Sequence, residues 1–196
     1  MFTEKLVNNF LKKQELIISE INLAIENFKK NKVLKYELDI DEFKLDRRSL
    51  RSFLNQLKKD VPNSVSAVYW WYTPEGKILN QSLALKYDQI KKKIKSKHGA
   101  MMPLRRKSGF SERMVYIGSK AKSKTTYLSN RIEQHIGINL ASSKVFKNTS
   151  IKFNEWYTGK VILVVLPLGE TGKFGANFIE EELKNKTQTF IGRREN

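Results

Sequence analysis

The most constraining segment of the chain is Val161-Ile162-Leu163-Val164-Val165. A run with no polar position reads as a strand buried on both faces, at the centre of a sheet. The 196 residues suffice for one domain with a substantial core, or a compact domain plus a smaller extension. The longest apolar stretch, Val161 to Leu168, includes Pro167 and is too short to span a bilayer. Met1 to Lys5 lacks the apolar region of a signal peptide. The absence of cysteine excludes disulfides, thiol nucleophiles and thiolate metal sites, and two histidines argue against a multi-histidine zinc site. The expectation is a soluble, cytoplasmic protein.

Around the central strand the pattern alternates between helix and strand. Residues 3–30 read as a helix, with Thr3 as N-cap and Leu6, Phe10, Ile17, Ile21, Ile25 and Phe28 at helical spacing. Val33 to Ile40 alternates weakly, as a strand would. Asp46 caps a helix over Arg47 to Lys59, which carries Leu50, Phe53, Leu54 and Leu57 on one face and is stopped by Pro62. Val65 to Tyr72 is rich in Val, Tyr and Trp and reads as a strand, followed by a turn at Thr73-Pro74-Glu75-Gly76. A helix around Tyr87 to Lys97, a loop over Gly99 to Gly109, a strand at Met114 to Gly118 and a helix over Tyr127 to Ile136 come next. The strand at Lys160 to Leu166 and a helix over Asn177 to Lys186 complete the chain. The predicted class is α+β: a small sheet domain over residues 63–196, preceded by a helical N-terminal extension over residues 1–62. The extension could dimerise, cover the sheet or enter a DNA groove.

The charge is unevenly placed. The chain holds 37 Lys+Arg against 20 Asp+Glu, a formal +17. Residues 86–124 hold thirteen of the basic residues and only Asp88 and Glu112 in opposition, a local excess of +11. Concentrated charge of this kind points to contacts with a polyanion. The candidate nucleic-acid-binding residues are Lys91, Lys92, Lys93, Lys95, Lys97, Arg105, Arg106, Lys107, Lys120 and Lys122. Trp70, Trp71 and Trp156 read as core aromatics or as base-stacking residues.

Four short elements then fall in a telling order. Ala67-Val68-Tyr69 lies in one strand and Tyr116-Ile117-Gly118 in the next. Arg131 and His135 follow at i, i+4 on one helix face. Glu180 and Leu183 lie on a helix after the buried strand, within the run Glu180-Glu181-Glu182. This order resembles the GIY-YIG nuclease family over roughly residues 65–190. The chain departs from the family pattern in three places. Alanine stands at position 67 for the first glycine. The two motif tyrosines are 47 positions apart, so residues 77–113 form a basic insertion in the first hairpin. The asparagine that often follows the family's glutamate falls here at Gly192, or is displaced to Asn196.

The resemblance implies a Mg²⁺- (or Mn²⁺-) dependent endonuclease acting on double-stranded DNA, of restriction type given the insertion. It implies a tyrosine base, Tyr69 or Tyr116, with no choice between them. Arg131 would hold the phosphate, since a guanidinium matches two phosphate oxygens and stays charged. Glu180, chosen among the three glutamates on the E-x-x-L spacing, would hold the metal, a hard cation that prefers oxygen. His135 would bond the phosphate or the base. A tyrosine is a poor base at neutral pH unless cations stabilise its phenolate, and Lys77, Lys120, Arg131 and the metal are the candidates. Cutting two strands with one site per chain suggests a homodimer. The other readings are a DNA-binding protein without catalysis on the same scaffold, and a repair-type nuclease acting on lesions or branches.

Overall fold

A computed structural model describes residues 2–74, 79–94, 101–104, 113–140, 150–187 and 189–192. Lys77, Lys95, Lys97, Arg105, Arg106, Lys107 and Asn196 lie outside them. The described elements are α1 (Phe2–Lys30), β1 (Leu34–Asp39), α2 (Ile40–Leu45), α3 (Arg47–Asp60), β2 (Ala67–Tyr72), α4 (Gln81–Lys93), β3 (Met114–Lys120), α5 (Leu128–Ile136), α6 (Phe153–Trp156), β4 (Lys160–Pro167) and α7 (Lys173–Lys186). Among the described residues no helix is long and apolar enough to cross a membrane.

The fold is α+β, with one antiparallel four-stranded sheet in the order β1-β4-β2-β3. The apolar run of β4 therefore lies in the interior of the sheet, between β1 and β2. Its odd residues Val161, Leu163 and Val165 face one core and Leu166 the other, all of them buried. On the first face the sheet meets α2, α3, α5 and α6 through Phe43, Leu50, Leu54, Leu57, Leu128, Ile132, Phe153 and Trp156. On the second it meets α1 and α7 through Ala24, Ala176 and Ile179. Trp71 and Trp156 are core residues of the first face.

Several details depart from the sequence reading; α4 starts at Gln81, ahead of Tyr87, and α6 is a short helix the pattern did not mark. Residues 1–62 are not set apart from the sheet domain. Leu34 to Asp39 pair with Lys160 to Val165, and α2 and α3 share one core with β2 and α5. The strand and the helix from Arg47 are separated by a helix the pattern hid, α2, whose N-terminus is capped by the Asp39 carboxylate accepting from the amides of Asp41 and Glu42. And α7 starts at Lys173, four residues early; Gly172 offers no side-chain cap, and the Glu20 carboxylate of α1 accepts the Phe174 amide at 3.0 Å in its place.

Candidate active site at the outer strand of the sheet

Strand β3 is the outer strand of the sheet. The Phe190 and Ile191 amides donate to its Met114 and Val115 carbonyls, both at 2.9 Å, and the site is built further along, around Tyr116 to Ser119. Tyr69 pairs with Gly118, and Trp71 with Tyr116, so both motif tyrosines and Gly118 share the first face. A Cβ on Gly118 would stand 2.7 Å from the Tyr69 hydroxyl and 2.7 Å from the Tyr116 ring. Only a glycine lets the Tyr69 ring lie across β3 beside Tyr116. The ring centroids of the two tyrosines are 6.3 Å apart.

Helix α5 brings Arg131 and His135 over them. His135 is fully buried, its ring 5.1 Å from that of Tyr116 and 5.8 Å from that of Tyr69. Its Nδ1 accepts the Ile151 amide at 3.3 Å, so the proton sits on Nε2 and is donated to the Tyr69 hydroxyl oxygen at 2.9 Å. Burial, aided by Arg131, holds the imidazole well below its ordinary pKa, and it is neutral at physiological pH. His135 thus bonds the Tyr69 hydroxyl.

Burial raises Tyr69 well above 10, and the charge of Tyr116 adds to it. Tyr116 is also raised, by burial and by Glu180. Arg131 opposes both shifts, by charge and by hydrogen bonding, and Lys184 opposes that of Tyr116 alone. Tyr69 has no exposed surface, whereas Tyr116 is 8 % exposed.

The second face supplies the carboxylate. Glu180 on α7 accepts from the Ser119 hydroxyl through Oε2 and from the Lys184 ammonium at 2.6 Å through Oε1. The Ser119 oxygen also lies 3.2 Å from Asn177 Oδ1. Glu180 has 14 % of its side chain exposed, while Glu181 is half-exposed and pairs with Lys184 from outside. Burial pulls the Lys184 ammonium toward neutrality, and Glu180 and Glu181 more than offset this, leaving its pKa raised. Sequence reasoning missed Ser119, Asn177 and Lys184. The available signal was spacing, since Asn177 and Lys184 stand at i−3 and i+4 from Glu180 on one helix stripe.

Among the described residues no group of three or more His, Asp or Glu side chains could hold a metal. The oxygen set of Glu180, Ser119 and Asn177 nonetheless suits a hard cation such as Mg²⁺, which takes one or two carboxylate contacts and completes its shell with water and phosphate.

The basic residues divide. Lys91, Lys92 and Lys93 form the last turn of α4, with Lys92 and Lys93 exposed, and Lys122 is exposed beyond β3. Lys120 is not on the surface. Its ammonium turns inward to the carbonyls of Asn63, at 2.6 Å, and Val65, at 3.2 Å, and ties β3 to the start of β2. It serves the fold and is unavailable to a polyanion. No family model, no curated protein and no solved structure matches this chain.

Proposed function

We propose that the chain is a metal-dependent endodeoxyribonuclease of GIY-YIG type, hydrolysing phosphodiester bonds of double-stranded DNA with restriction-like specificity. The observation that carries the reading is the convergence of Tyr69, Tyr116, Arg131, His135 and Glu180 at one sheet edge, although they span 111 positions of sequence. A fold that used these side chains only for packing would not draw a guanidinium, two phenols and a carboxylate together.

In this reading Arg131 binds the phosphoryl oxygens and supplies the positive charge that the transition state gains from. Tyr116, the more accessible phenol and the one flanked by two cations, takes a proton from the attacking water. Tyr69 stands behind it, its oxygen fixed by the His135 Nε2–H. Glu180, with Ser119 and Asn177 beside it, would hold Mg²⁺ or Mn²⁺, which supplies charge neutralisation at the phosphate and the departing 3′ oxygen. Lys184 must release Oε1 for the carboxylate to do so, and is then free to approach the phosphate.

Incubation with mixed-sequence duplex DNA and Mg²⁺ tests this. Cleavage is expected, falling ~10²–10³-fold in Arg131→Ala and at least as much in Glu180→Gln. Absence of cleavage across a broad DNA panel with either metal overturns the reading. The second reading, a DNA-binding protein without catalysis, is favoured by the Glu180 carboxylate already being held at both oxygens. It requires Glu180→Gln to change nothing in any DNA assay.

A further inference from the structure

Among the described residues, the second face of the sheet is only partly covered. Beyond the contact with α1 and α7 it forms an open groove of about 550 Å³, lined by Trp70, Tyr72, Val164, Lys35, Arg113 and Met114. Register explains the lining. Lys35 pairs with Val164, which pairs with Trp70, so a cation, an aliphatic floor and an indole lie in one row across three strands. Tyr72 lies two residues further along the same face. Arg113 is anchored by donating from Nε and Nη2 to the Thr73 carbonyl, both at 3.2 Å, with its guanidinium 6.0 Å from the Tyr72 ring centroid. Lys35 is exposed, and the lining contains no acidic residue.

Two partly buried aromatic rings on an apolar floor, with a cation at each end, match one chemistry: flat, π-faced bases joined by phosphates. Bases in a duplex present edges and not faces, so the fit is to unpaired ones. We propose that this groove binds single-stranded nucleic acid, with unpaired bases stacking on Trp70 and Tyr72 and the backbone held by Lys35 and Arg113. An acidic peptide would use the two cations but leave the ring faces idle. The site goes beyond the hydrolytic reading, since a chain that cleaves nothing would still bind here. It also adjoins the candidate active site. Tyr69 and Trp70 are consecutive residues facing opposite sides of β2, and Leu183, next to Lys184, packs in the same cluster as Trp70 and Met114. A strand displaced from a duplex held at the tyrosines would have its bases captured on the face behind them.

The test uses the full chain in EDTA, so that no cleavage intrudes, with a fluorescein-labelled ten-residue oligothymidylate and an abasic oligonucleotide of equal length and charge. Trp71 and Trp156 are buried, so emission quenching reports Trp70. The expected results are quenching that saturates with anisotropy, roughly tenfold weaker binding of the abasic strand, and a similar loss in Trp70→Leu. Lys35→Glu, at an exposed position outside the core, should weaken oligothymidylate severalfold and keep the wild-type unfolding temperature. Trp70→Phe should retain most of the affinity while abolishing the quenching. Equal binding of the abasic and base-bearing strands, or binding without quenching, overturns the proposal. So does competition by polyglutamate as effective as by unlabelled oligothymidylate. Failure here with duplex cleavage intact would leave the hydrolytic reading standing, and the converse holds equally.

Discussion

Gly118 shows how much can depend on one missing methyl group. With Cβ positions at 2.7 Å from both tyrosines, Gly118→Ala must push Tyr69 or Tyr116 aside. The expected cost is ~1–3 kcal/mol of stability from overpacking, read from the unfolding midpoint, together with loss of cleavage out of proportion to it. The tyrosines set a pH dependence. Both are raised above their ordinary pKa, so a phenolate base is scarce at neutrality and the cleavage rate should climb with pH, about tenfold per unit, toward the Tyr116 ionisation. Lys184 opposes the rise in Tyr116, so Lys184→Met should move that limb of the profile to higher pH, as measured by single-turnover rates. His135 acts on stability with the opposite requirement. Its pKa is lower folded than unfolded, so below the unfolded value of 6.5 the unfolded chain binds the extra proton first. Stability from this group is complete above that value and is lost as pH falls, by at most about 1.4 kcal/mol per unit. Denaturant melts from pH 7.5 down to 5 should show the loss, and His135→Gln should remove that component.

At the scale of elements, α7 holds half of the site and α1 holds α7. The helices cross where Gly175 meets Ala24: a Cβ on Gly175 would lie 2.3 Å from the Glu20 carbonyl and 2.9 Å from the Ala24 Cβ. Asn27 and Asn31 donate to the carbonyls of Leu168 and Pro167, fixing the turn between β4 and α7 to the same helix. Ala24→Leu should therefore wedge the pair apart. We expect ~1–3 kcal/mol of destabilisation and a fall in cleavage, with the Tyr69–His135 hydrogen bond preserved on the other face. Comparison of the His135 ring proton signals in variant and parent checks the last point. The sequence reading treated this helix as an extension because amphipathic spacing reports that a face is apolar, not which partner covers it. The same limit hid β1's place beside β4, since strand pairing across more than a hundred residues leaves no local mark. What was legible rested on local pattern: the apolar run of β4, the Leu50-Leu54-Leu57 stripe of α3, and the Arg131/His135 spacing. What was not legible rested on neighbours. Alternation along β3 puts Ser119 against α7 and turns Lys120 toward Asn63, and neither fate is written in its own residue type.

For the whole molecule, the +17 charge is distributed between roles that composition merges. Lys120 donates to two backbone carbonyls, Arg113 gives two of its five N–H donors to another, and Lys184 pairs with two carboxylates. Lys91, Lys92 and Lys93 end a helix anchored through Tyr87 to Trp156, on the side of the sheet that carries the tyrosines. Replacing all three by alanine should weaken duplex binding and lower the log–log salt slope by up to ~2.7, measured by titration at several salt concentrations. The order β1-β4-β2-β3 has a further consequence, in the history of each molecule. The strand that fills the gap between β1 and β2 is the last of the four to leave the ribosome. Until it arrives, β1 has no hydrogen-bonding partner, β2 has one open edge, and α7 does not exist. The emerging chain can pair β2 with β3 and bring its tyrosines together, but it cannot present Glu180 to them. Contacts between residues so far apart in sequence also make the last step of assembly slow. On the proposed reading, cleavage would wait until the final quarter of the chain has docked, and the chain would stay inert throughout its own synthesis.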